Sequence, residues 1–310
     1  MTKIRDYTRR DRMVEFAINT ANDPAHGYDQ RFRWNEYGDY DCSSLVYSAA
    51  IYAGYNLPKS GTRYTGTMLQ HFGTAGFAAV RFDGNLQDME AGDILLNTTS
   101  HTALCIGGGR LVEASINEKG GVTGGQPGDQ ADEIHVRSLY NYPWDWCLVP
   151  PVDEIEIPDG KTPHKGSLWT YHGDTNQRMA IVHNADGTVT LIDSKYGLAL
   201  DVNGNPGIGT PVNFVEYNGS DWQKWYVAEM PNTSNPDTVA PHVFLSKLDP
   251  NLVLDADSSN GNPGTQLQLW QNLSSGNRNQ SWYVEDTLNG YWIVRSVLWP
   301  NMVIDAGAAI

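Results

Sequence analysis

The sequence lacks several features that define whole classes of protein. Its 310 residues include only three cysteines, too few for a disulfide framework that uses them all, and no Cys-x-x-Cys pair of the kind found at zinc sites. No run of about 18 apolar residues occurs, and the charged start MTKIRDYTRRDRM has no apolar stretch behind it. We therefore expect no transmembrane helix and no secretory signal peptide. The mean hydropathy of −0.44 is typical of a soluble globular protein.

Basic residues are also scarce. Lys and Arg number 21 against 36 Asp and Glu, which gives a formal net charge of −15. Such a chain is repelled by nucleic acid phosphates and by anionic membrane surfaces. We expect no nucleic-acid partner and no membrane insertion. No His, Asp or Glu cluster has metal-ligand spacing, so we expect neither a metal nor a cofactor.

The two halves of the chain differ in texture, and the length favours two domains. Residues 1–150 contain helix-like periodicity, whereas residues 151–310 contain almost none. Between them lies an acidic stretch with four prolines, which indicates a linker. The predicted organisation is a first domain over 1–150, a linker over 151–165 and a second domain over 166–310.

The first half is predicted to be α+β, with helices first and an antiparallel sheet afterwards. The predicted helices cover residues 10–22, 42–54 and 64–72. The predicted strands cover residues 93–96, 102–106, 110–114, 133–136 and 146–149.

Cys42 stands at the start of a predicted helix, within the run Tyr-Asp-Cys-Ser-Ser over residues 40–44. A thiol there faces unpaired N–H groups and the positive end of the helix dipole, which favours the thiolate and hence a nucleophile. The alternative is that Cys42 is a small core residue. Cys105 and Cys147 lie in predicted strands and are expected to be inert core residues.

His101 and Glu113 give Cys42 two possible partners. His101 opens one predicted strand, and Glu113 lies twelve residues on in the next, beyond a Gly-rich turn at 107–109. Antiparallel pairing places the two side chains near each other on one face of the sheet. We predict Cys42 as nucleophile, His101 as base and Glu113 as the residue that orients His101. Tyr40, Asp41 and Ser43 either border the substrate groove or pack in the core.

The motifs Asp-Cys-Ser-Ser at 41–44, Gly-Asp-Ile-Leu at 92–95, His101 and Leu-Val-Glu-Ala-Ser at 111–115 resemble those of NlpC/P60 cysteine peptidases. Over residues 7–150 the chain is most similar to their phage branch, the peptidoglycan amidohydrolases of endolysins (the Pal-type amidase family). The resemblance implies a papain-like core in which Cys42 attacks an amide and His101 is the base. Many members of the family have a second histidine where this chain has Glu113.

The second half repeats itself three times. Leu/Ile-Asp-Val/Ala recurs around Asp201, Asp255 and Asp305, at spacings of 54 and 50 residues. Gln-x-aromatic or Gln-x-Met units begin at Gln177, Gln223 and Gln280. The pattern over residues 165–310 resembles the all-β β-trefoil of ricin-B-type lectins. Because the first segment looks like the back half of a repeat and the last like a front half, we expect the two ends to pair. The alternative is that the chain is part of a longer protein.

The lectin resemblance implies carbohydrate pockets built from an acidic residue, an aromatic ring and an amide. In the third repeat the matching positions lie 13, 15, 24 and 25 residues after Asp255. They are Gln268, Trp270, Asn279 and Gln280. A second site would combine Asp305 with Trp169 and Asn176. The middle repeat has Val215 and Trp222 at the ring and amide positions, so a pocket there is not expected. The alternative is that the Gln and Trp of each repeat are buried scaffold.

Together these features predict a monomeric phage-type endolysin that cuts an amide of bacterial peptidoglycan and binds a cell-wall glycan. N-acetylmuramoyl-L-alanine amidase activity is favoured over stem-peptide endopeptidase activity. The other readings are an interbacterial cell-wall toxin and a glycan-binding protein without catalysis. Without a signal peptide, the product is expected to be made in the host cytoplasm and to act on the wall.

Overall fold

The computed structural model describes residues 1–204, 206–229, 240–257, 261–273, 278–287 and 290–310. The chain forms two compact units. The first unit is Tyr7–Asp153, and the second unit combines Met1–Asp6 with Glu154–Ile310. Within the described residues, no helix combines the length and the apolar character needed to span a bilayer.

The first unit has helices followed by an antiparallel sheet. The chain starts with β1 (Thr2–Asp6) of the second unit and continues with α1 (Thr8–Asn22), α2 (Cys42–Tyr52), α3 (Thr65–Thr74), β2 (Ala78–Arg81), β3 (Ile94–Asn97), β4 (His101–Gly107), β5 (Arg110–Ala114), β6 (Ile134–Ser138) and β7 (Trp146–Val149). The six strands pair in the order β2-β7-β3-β4-β5-β6. The predicted helices and strands are all present, with ends shifted by a few residues. Strand β2 was not predicted, because all four of its residues are exposed and give no alternation.

Helix α2 begins at Cys42 because Asp41 caps it. The Asp41 carboxylate accepts a hydrogen bond from the Ser44 N–H at 2.7 Å, and the Ser44 hydroxyl accepts one from the Asp41 N–H at 2.8 Å. The helix ends before Gly54, whose φ of 91° is in the left-handed region that glycine tolerates. Most of α2 is buried, and it packs against α1, β4 and β5. The cap therefore fixes the first residue of α2 close to the sheet.

The second unit contains β-strands and three short 3-10 helices among its described residues. Its remaining strands are β8 (Asp153–Ile157), β9 (His164–Thr170), β10 (Met179–His183), β11 (Val189–Asp193), β12 (Leu198–Asp201), β13 (Asn213–Glu216), β14 (Trp225–Glu229), β15 (His242–Ser246), β16 (Leu252–Ala256), β17 (Thr265–Gln271), β18 (Trp282–Asp286), β19 (Trp292–Ser296) and β20 (Met302–Ala309). The 3-10 helices precede β10, β14 and β18, one in each repeat.

Strands β9–β20 form three equivalent sets of four. The sets are β10–β13, β14–β17, and β18–β20 completed by β9. Equivalent pairings link the sets, between β10 and β19, β11 and β14, and β15 and β18. Strand β20 pairs with β9, with Asp305 opposite Ser167 and Val303 opposite Trp169. This pairing confirms that the two ends of the repeat region join, and the three-fold arrangement is the predicted β-trefoil.

The repeated Gln-x-aromatic units lie inside this fold. Trp225 and Trp282 are fully buried, and their indole N–H groups donate to the carbonyls of Leu200 and Leu254 at 3.3 Å. Gln223 is also buried and donates to the Glu216 carbonyl at 2.8 Å. The scaffold interpretation therefore holds for these side chains, which fill the space that the three repeats share.

The segment predicted as a linker, 151–165, contains β8 and the start of β9. Strand β8 pairs with β1 in a two-stranded sheet. Ile4 of β1 and Ile157 of β8 pack with Val182 and Ile192 in a small apolar cluster of the second unit. Acidic and isoleucine residues alternate along β8, as in a strand with one buried face. The prolines and acidic residues of the segment led instead to the prediction of a linker.

Candidate functional site

Cys42 is the first residue of α2 and is only 6% exposed. The backbone of Thr102, of Ser43 and of Cys42 itself lies near enough to the sulfur to lower the pKa of the thiol. Thr102 follows His101 at the start of β4, so the sulfur lies beside the strand that carries the predicted base. The contact between the start of α2 and the start of β4 thus brings two predicted site residues into one region.

The pKa of Cys42 differs from the sequence-based expectation. Burial raises the pKa to about 12, and the negative charge of Asp41 acts in the same direction. The N–H groups of Thr102 and of the helix start lower the pKa, but they do not outweigh the loss of solvent. Burial therefore opposes the thiolate that the start of α2 is expected to favour. A base must remove the proton before the sulfur can attack.

His101 and Glu113 are in direct contact. His101 Nε2 lies 2.8 Å from Glu113 Oε2, although the two residues are twelve apart in sequence. An ionised carboxylate only accepts hydrogen bonds, so Nε2 carries the proton and donates it. In the neutral imidazole the lone pair is then on Nδ1, which is the nitrogen available to act as a base.

Glu113 is surrounded by donors. The carboxylate is 2% exposed and accepts hydrogen bonds from Tyr140 Oη at 2.7 Å and from Arg137 at 3.1 Å. His135 Nε2 lies 3.3 Å from its other side. Burial acts to raise the pKa of Glu113, but the hydrogen bonds from His101, His135 and Tyr140 hold it well below its ordinary range. Glu113 therefore keeps its negative charge beside His101.

Two aromatic rings enclose His101. Trp144 stacks on the imidazole with ring centroids 5.8 Å apart, and Tyr142 meets it edge-on at 5.6 Å. The Tyr142 hydroxyl bonds Ser100 at 2.9 Å, and the Trp144 indole donates to the Tyr140 carbonyl at 3.3 Å. The plane of the imidazole is therefore set by rings that are themselves anchored.

Tyr40, Asp41 and Ser43, which the sequence placed at a substrate groove or in the core, are buried. Asp41 caps α2 and accepts hydrogen bonds from Ser43 at 2.9 Å and from Arg33 at 2.6 Å. Tyr40 packs its ring against Phe16. These side chains support the start of α2 and pack in the core, as the alternative interpretation expected, and a position at the substrate groove stays a prediction.

The donors to Glu113 were not assigned a role from the sequence. Glu113 is directly opposite His135 in the pairing of β5 with β6, and Arg137 is two residues further along β6. Residues two apart in a strand point to the same face. The alternation along β6 could have indicated that His135 and Arg137 share a face. Placing them at Glu113 also requires the β5–β6 register, which cannot be predicted from the sequence across the long connection between the strands.

Tyr28 is a further residue near Cys42 that the sequence did not single out. Its side chain is buried, and Gln30 donates to its hydroxyl at 3.1 Å. Burial raises the pKa of Tyr28 far above its usual value, and the negative charge of Asp41 adds to the effect. The Tyr28 hydroxyl therefore keeps its proton and stays a hydrogen-bond donor in the vicinity of the sulfur.

In the second unit, Asp255 gathers the side chains predicted for the third repeat. Its carboxylate accepts hydrogen bonds from Gln268 at 3.1 Å, Asn279 at 2.8 Å and Gln280 at 3.0 Å. Trp270 is two residues beyond Gln268 on β17 and is 37% exposed. An accessible ring thus stands beside a carboxylate and two amides, while Gln280 also anchors the Gln271 carbonyl.

A second such set forms where β20 meets β9. Asp305 accepts hydrogen bonds from Asn176 at 2.9 Å and from Gln177 at 3.0 Å. Trp169 is 40% exposed and belongs to β9, opposite Val303. The predicted residues Asp305, Trp169 and Asn176 are therefore together, although they come from opposite ends of the repeat region.

The middle repeat has the aspartate but lacks the aromatic ring and the asparagine of the other two repeats. Asp201 accepts a hydrogen bond from the Asn203 N–H at 2.6 Å. Trp222 occupies the position that holds Asn279 and Asn176 in the other repeats and is 40% exposed, while Val215 replaces the ring. Over the part of the chain that the structure describes, no group of three or more His, Cys, Asp or Glu residues is arranged to hold a metal ion.

Two family models match parts of the chain. Residues 1–112 match the model described as "Endolysin-like domain", and residues 221–309 match "Ricin-type beta-trefoil lectin domain-like". The chain is thus endolysin-like at its amino end and similar to ricin-type lectins at its carboxyl end. No curated protein is significantly similar to it in sequence.

The solved structures that parts of the chain match include natural and designed proteins. The designed three-fold symmetric protein ThreeFoil is 22% identical, covering 41% of this chain and 76% of its own, with a TM-score of 0.32. The Macrolepiota procera ricin B-like lectin, solved with lactose, is 17% identical, covering 45% and 98%, with a TM-score of 0.28. The Rhizoctonia solani agglutinin is 18% identical, covering 46% and 99%, with a TM-score of 0.31.

Tyr140→Phe tests the donor set around Glu113. The variant loses one hydrogen bond to a buried carboxylate, so we expect the free energy of unfolding to fall by about 1.5–3 kcal/mol at pH 7. The folded-state pKa of Glu113 lies below its unfolded value, so its stabilisation is complete above that unfolded value and is lost as pH falls through the folded pKa. Because the variant raises the folded pKa, the loss still begins near the unfolded pKa but is complete at a higher pH, and its total size is smaller. Urea denaturation at a series of pH values measures both effects.

Tyr142→Phe is the matched control, because its hydroxyl bonds Ser100 and not Glu113. It should leave the pH dependence of unfolding as in the wild type. Identical stability curves for Tyr140→Phe and wild type would contradict the role given to the Tyr140 hydroxyl.

Proposed function

We propose that the chain is a peptidoglycan hydrolase whose first unit cuts an amide with a cysteine nucleophile and whose second unit binds a cell-wall glycan. The observation that carries the proposal is the 2.8 Å contact of His101 Nε2 with Glu113. His101 begins β4, and β4 packs against α2, the helix whose first residue is Cys42. The match of residues 1–112 to an endolysin-like domain supports the bacterial wall as the place of action.

In this mechanism, His101 Nδ1 takes the proton of the Cys42 thiol as the sulfur attacks the amide carbon. The carbonyl oxygen becomes an oxyanion, which the backbone N–H of Cys42 stabilises. His101 returns the proton to the leaving amine, and a thioester to Cys42 remains. Water then hydrolyses the thioester and restores the thiol. Glu113 stabilises the imidazolium that exists between the two proton transfers.

The raised pKa of Cys42 specifies the order of these events. With a pKa of about 12, the thiol is protonated at neutral pH in the free enzyme. Proton transfer to His101 therefore accompanies substrate binding or attack. The ionised Glu113 favours this transfer because it stabilises positive charge on His101.

The finer assignment is a papain-like NlpC/P60 domain of the Pal-type amidase family. On that assignment the bond cut is N-acetylmuramoyl-L-alanine, because the phage branch that the motifs resemble carries that activity. The alternative is a stem-peptide endopeptidase with the same residues. Free lactyl ends on muramic acid indicate the amidase, and new peptide amines with intact muramoyl-alanine indicate the endopeptidase.

The second unit serves as the tether. Asp255 with Gln268, Trp270 and Asn279, and Asp305 with Trp169 and Asn176, form the two proposed carbohydrate pockets. Each offers a ring for the apolar face of a sugar and polar groups for its hydroxyls. Binding to an insoluble wall raises the local concentration of the first unit at its substrate.

The proposed setting is a monomeric phage product made in the host cytoplasm that acts on the cell wall. An interbacterial toxin with the same chemistry is the alternative setting. The partners are peptidoglycan and a wall glycan. The net charge of −15 disfavours nucleic acid as a partner.

A second candidate function is glycan binding without catalysis. The observation that favours it is the burial of the Cys42 sulfur, which raises the pKa of the thiol to about 12. Such a protein would use only the pockets at Asp255 and Asp305. The two functions are separated by the behaviour of a single variant.

Cys42→Ala removes the proposed nucleophile. We expect wild type to clear a turbid suspension of purified bacterial walls and the variant to be slower by roughly 10³-fold or more, because no other group replaces the sulfur. Turbidity of the wall suspension against time measures the rate.

Cys147→Ala is the control, since it removes a different buried thiol from the same unit. It should clear walls at nearly the wild-type rate. Equal clearing by wild type and Cys42→Ala would remove Cys42 from the mechanism, and no clearing by wild type would favour the glycan-binding alternative.

Trp270→Ala removes the ring of the third-repeat pocket. We expect the dissociation constant for purified walls to rise roughly tenfold, because a sugar loses its stacking surface while the second pocket remains. Turnover of a soluble substrate should not change. Trp222→Ala, an equally exposed tryptophan in the repeat without a complete pocket, should leave wall binding intact. Unaltered retention of Trp270→Ala on walls would eliminate this pocket.

A further inference from the structure

A cleft opens beside His101 at one end of the six-stranded sheet. Strands β2 and β7 pair with Arg81 opposite Trp146, so the chain leaving β2 meets the chain entering β7. The Phe82 N–H donates to the Asp145 carbonyl at 3.1 Å and extends this contact. Between residues 82–84 and 141–144 is a cleft of about 510 Å³, within the range of small-molecule sites.

Two aromatic residues that line the cleft also contact the candidate catalytic histidine. Tyr142 and Trp144 line it, and the same two rings contact His101 at 5.6 and 5.8 Å. Asn97 fixes this segment by donating to the Pro143 carbonyl at 2.6 Å. The cleft and His101 therefore contact the same two aromatic rings, which places the cleft next to the candidate catalytic histidine.

The lining chemistry favours a sugar. Phe82, Tyr142 and Trp144 provide aromatic surface, while Asp83 and Asn141 provide a carboxylate and an amide at the rim. One Asp83 oxygen accepts the Asn85 N–H at 2.9 Å, which orients the carboxylate. These are the same three kinds of group that the second unit assembles around Asp255 and Asp305.

The charge of the cleft argues against a free carboxylate as the ligand. Asp83 is the acidic group of the lining, and no Lys, Arg or His belongs to the described residues that form it. The carboxylates of a stem peptide would meet like charge there. The amino sugar of a glycan strand is uncharged once its own carboxyl group is joined to the peptide.

We propose that this cleft binds the N-acetylated amino sugar that carries the amide to be cut. The inference rests on the proposed hydrolase function and deepens it, because it selects the bond between the sugar's lactyl group and the first amino acid. Asp83 and Asn141 bind the sugar hydroxyls or acetamido group, and Tyr142 presents its ring to the sugar.

The test uses Asp83→Ala/Asn141→Ala, since both residues are exposed and neither contacts His101. The substrates are N-acetylmuramoyl-L-alanyl-D-isoglutamine and the same dipeptide carrying only a lactoyl group. For the muramoyl substrate we expect KM to rise about tenfold with kcat nearly unchanged, because two hydrogen bonds to the sugar are lost. KM for the lactoyl substrate should stay the same. Gln87→Ala, an exposed change outside the cleft, is the control.

An unchanged KM of the double variant for the muramoyl substrate overturns the sugar site and leaves the hydrolase intact. Failure of the hydrolase is seen separately, as equal clearing of walls by wild type and Cys42→Ala. If wild type clears walls but cuts neither small substrate, a binding measurement tests the site instead. The ligand is N-acetylmuramoyl-L-alanyl-D-isoglutamine, and the protein is the full-length Cys42→Ala variant, in which Trp169→Ala and Trp270→Ala also remove the rings of the two proposed lectin pockets. Loss of this binding on adding the double change supports the site, and undiminished binding overturns it.

Discussion

The negative charge of Glu113, kept inside the protein, is the constraint on which the first unit depends. A buried carboxylate is costly unless donors surround it, and here strands β4 and β6 and the segment after β6 each supply at least one. Those donors hold the strands in one register, and one of them is the imidazole of His101. The same interaction therefore stabilises the sheet and determines which nitrogen of His101 is free. The hydrogen bonds around Glu113 therefore serve both the stability of the sheet and the proposed chemistry.

In the second unit, buried carboxylates are likewise held by side-chain donors. Asp255 and Asp305 are each nearly buried and each held by side-chain amides, so that the carboxylate stays oriented while a tryptophan nearby remains accessible. The middle repeat keeps Asp201 but substitutes an indole for the amide. Three-fold packing thus conserves the scaffold in every repeat, whereas the polar pocket is complete in only two.

Much of this was predictable because it depends on local spacing. The start of α2 at Cys42, the offset between His101 and Glu113 and the Asp-to-Trp offset in the third repeat are short-range patterns that determine local geometry directly. The donor His135 depends on a register across a long connection, and β1 on a pairing with a distant strand. The pKa of Cys42 depends on how completely other elements cover it. These features depend on tertiary packing, which no periodic pattern in the sequence predicts.

The pairing of β20 with β9 has a consequence for how the second unit is made. The third repeat is complete only when β20 has paired with β9. Because these strands are far apart in sequence, their pairing carries a large loop-closure entropy cost. The pocket at Asp305 therefore cannot form on a growing chain until its final strand has left the ribosome. The proposed pocket at Asp255 uses strands that are neighbours in sequence, so its residues can meet earlier during synthesis than those of the proposed pocket at Asp305.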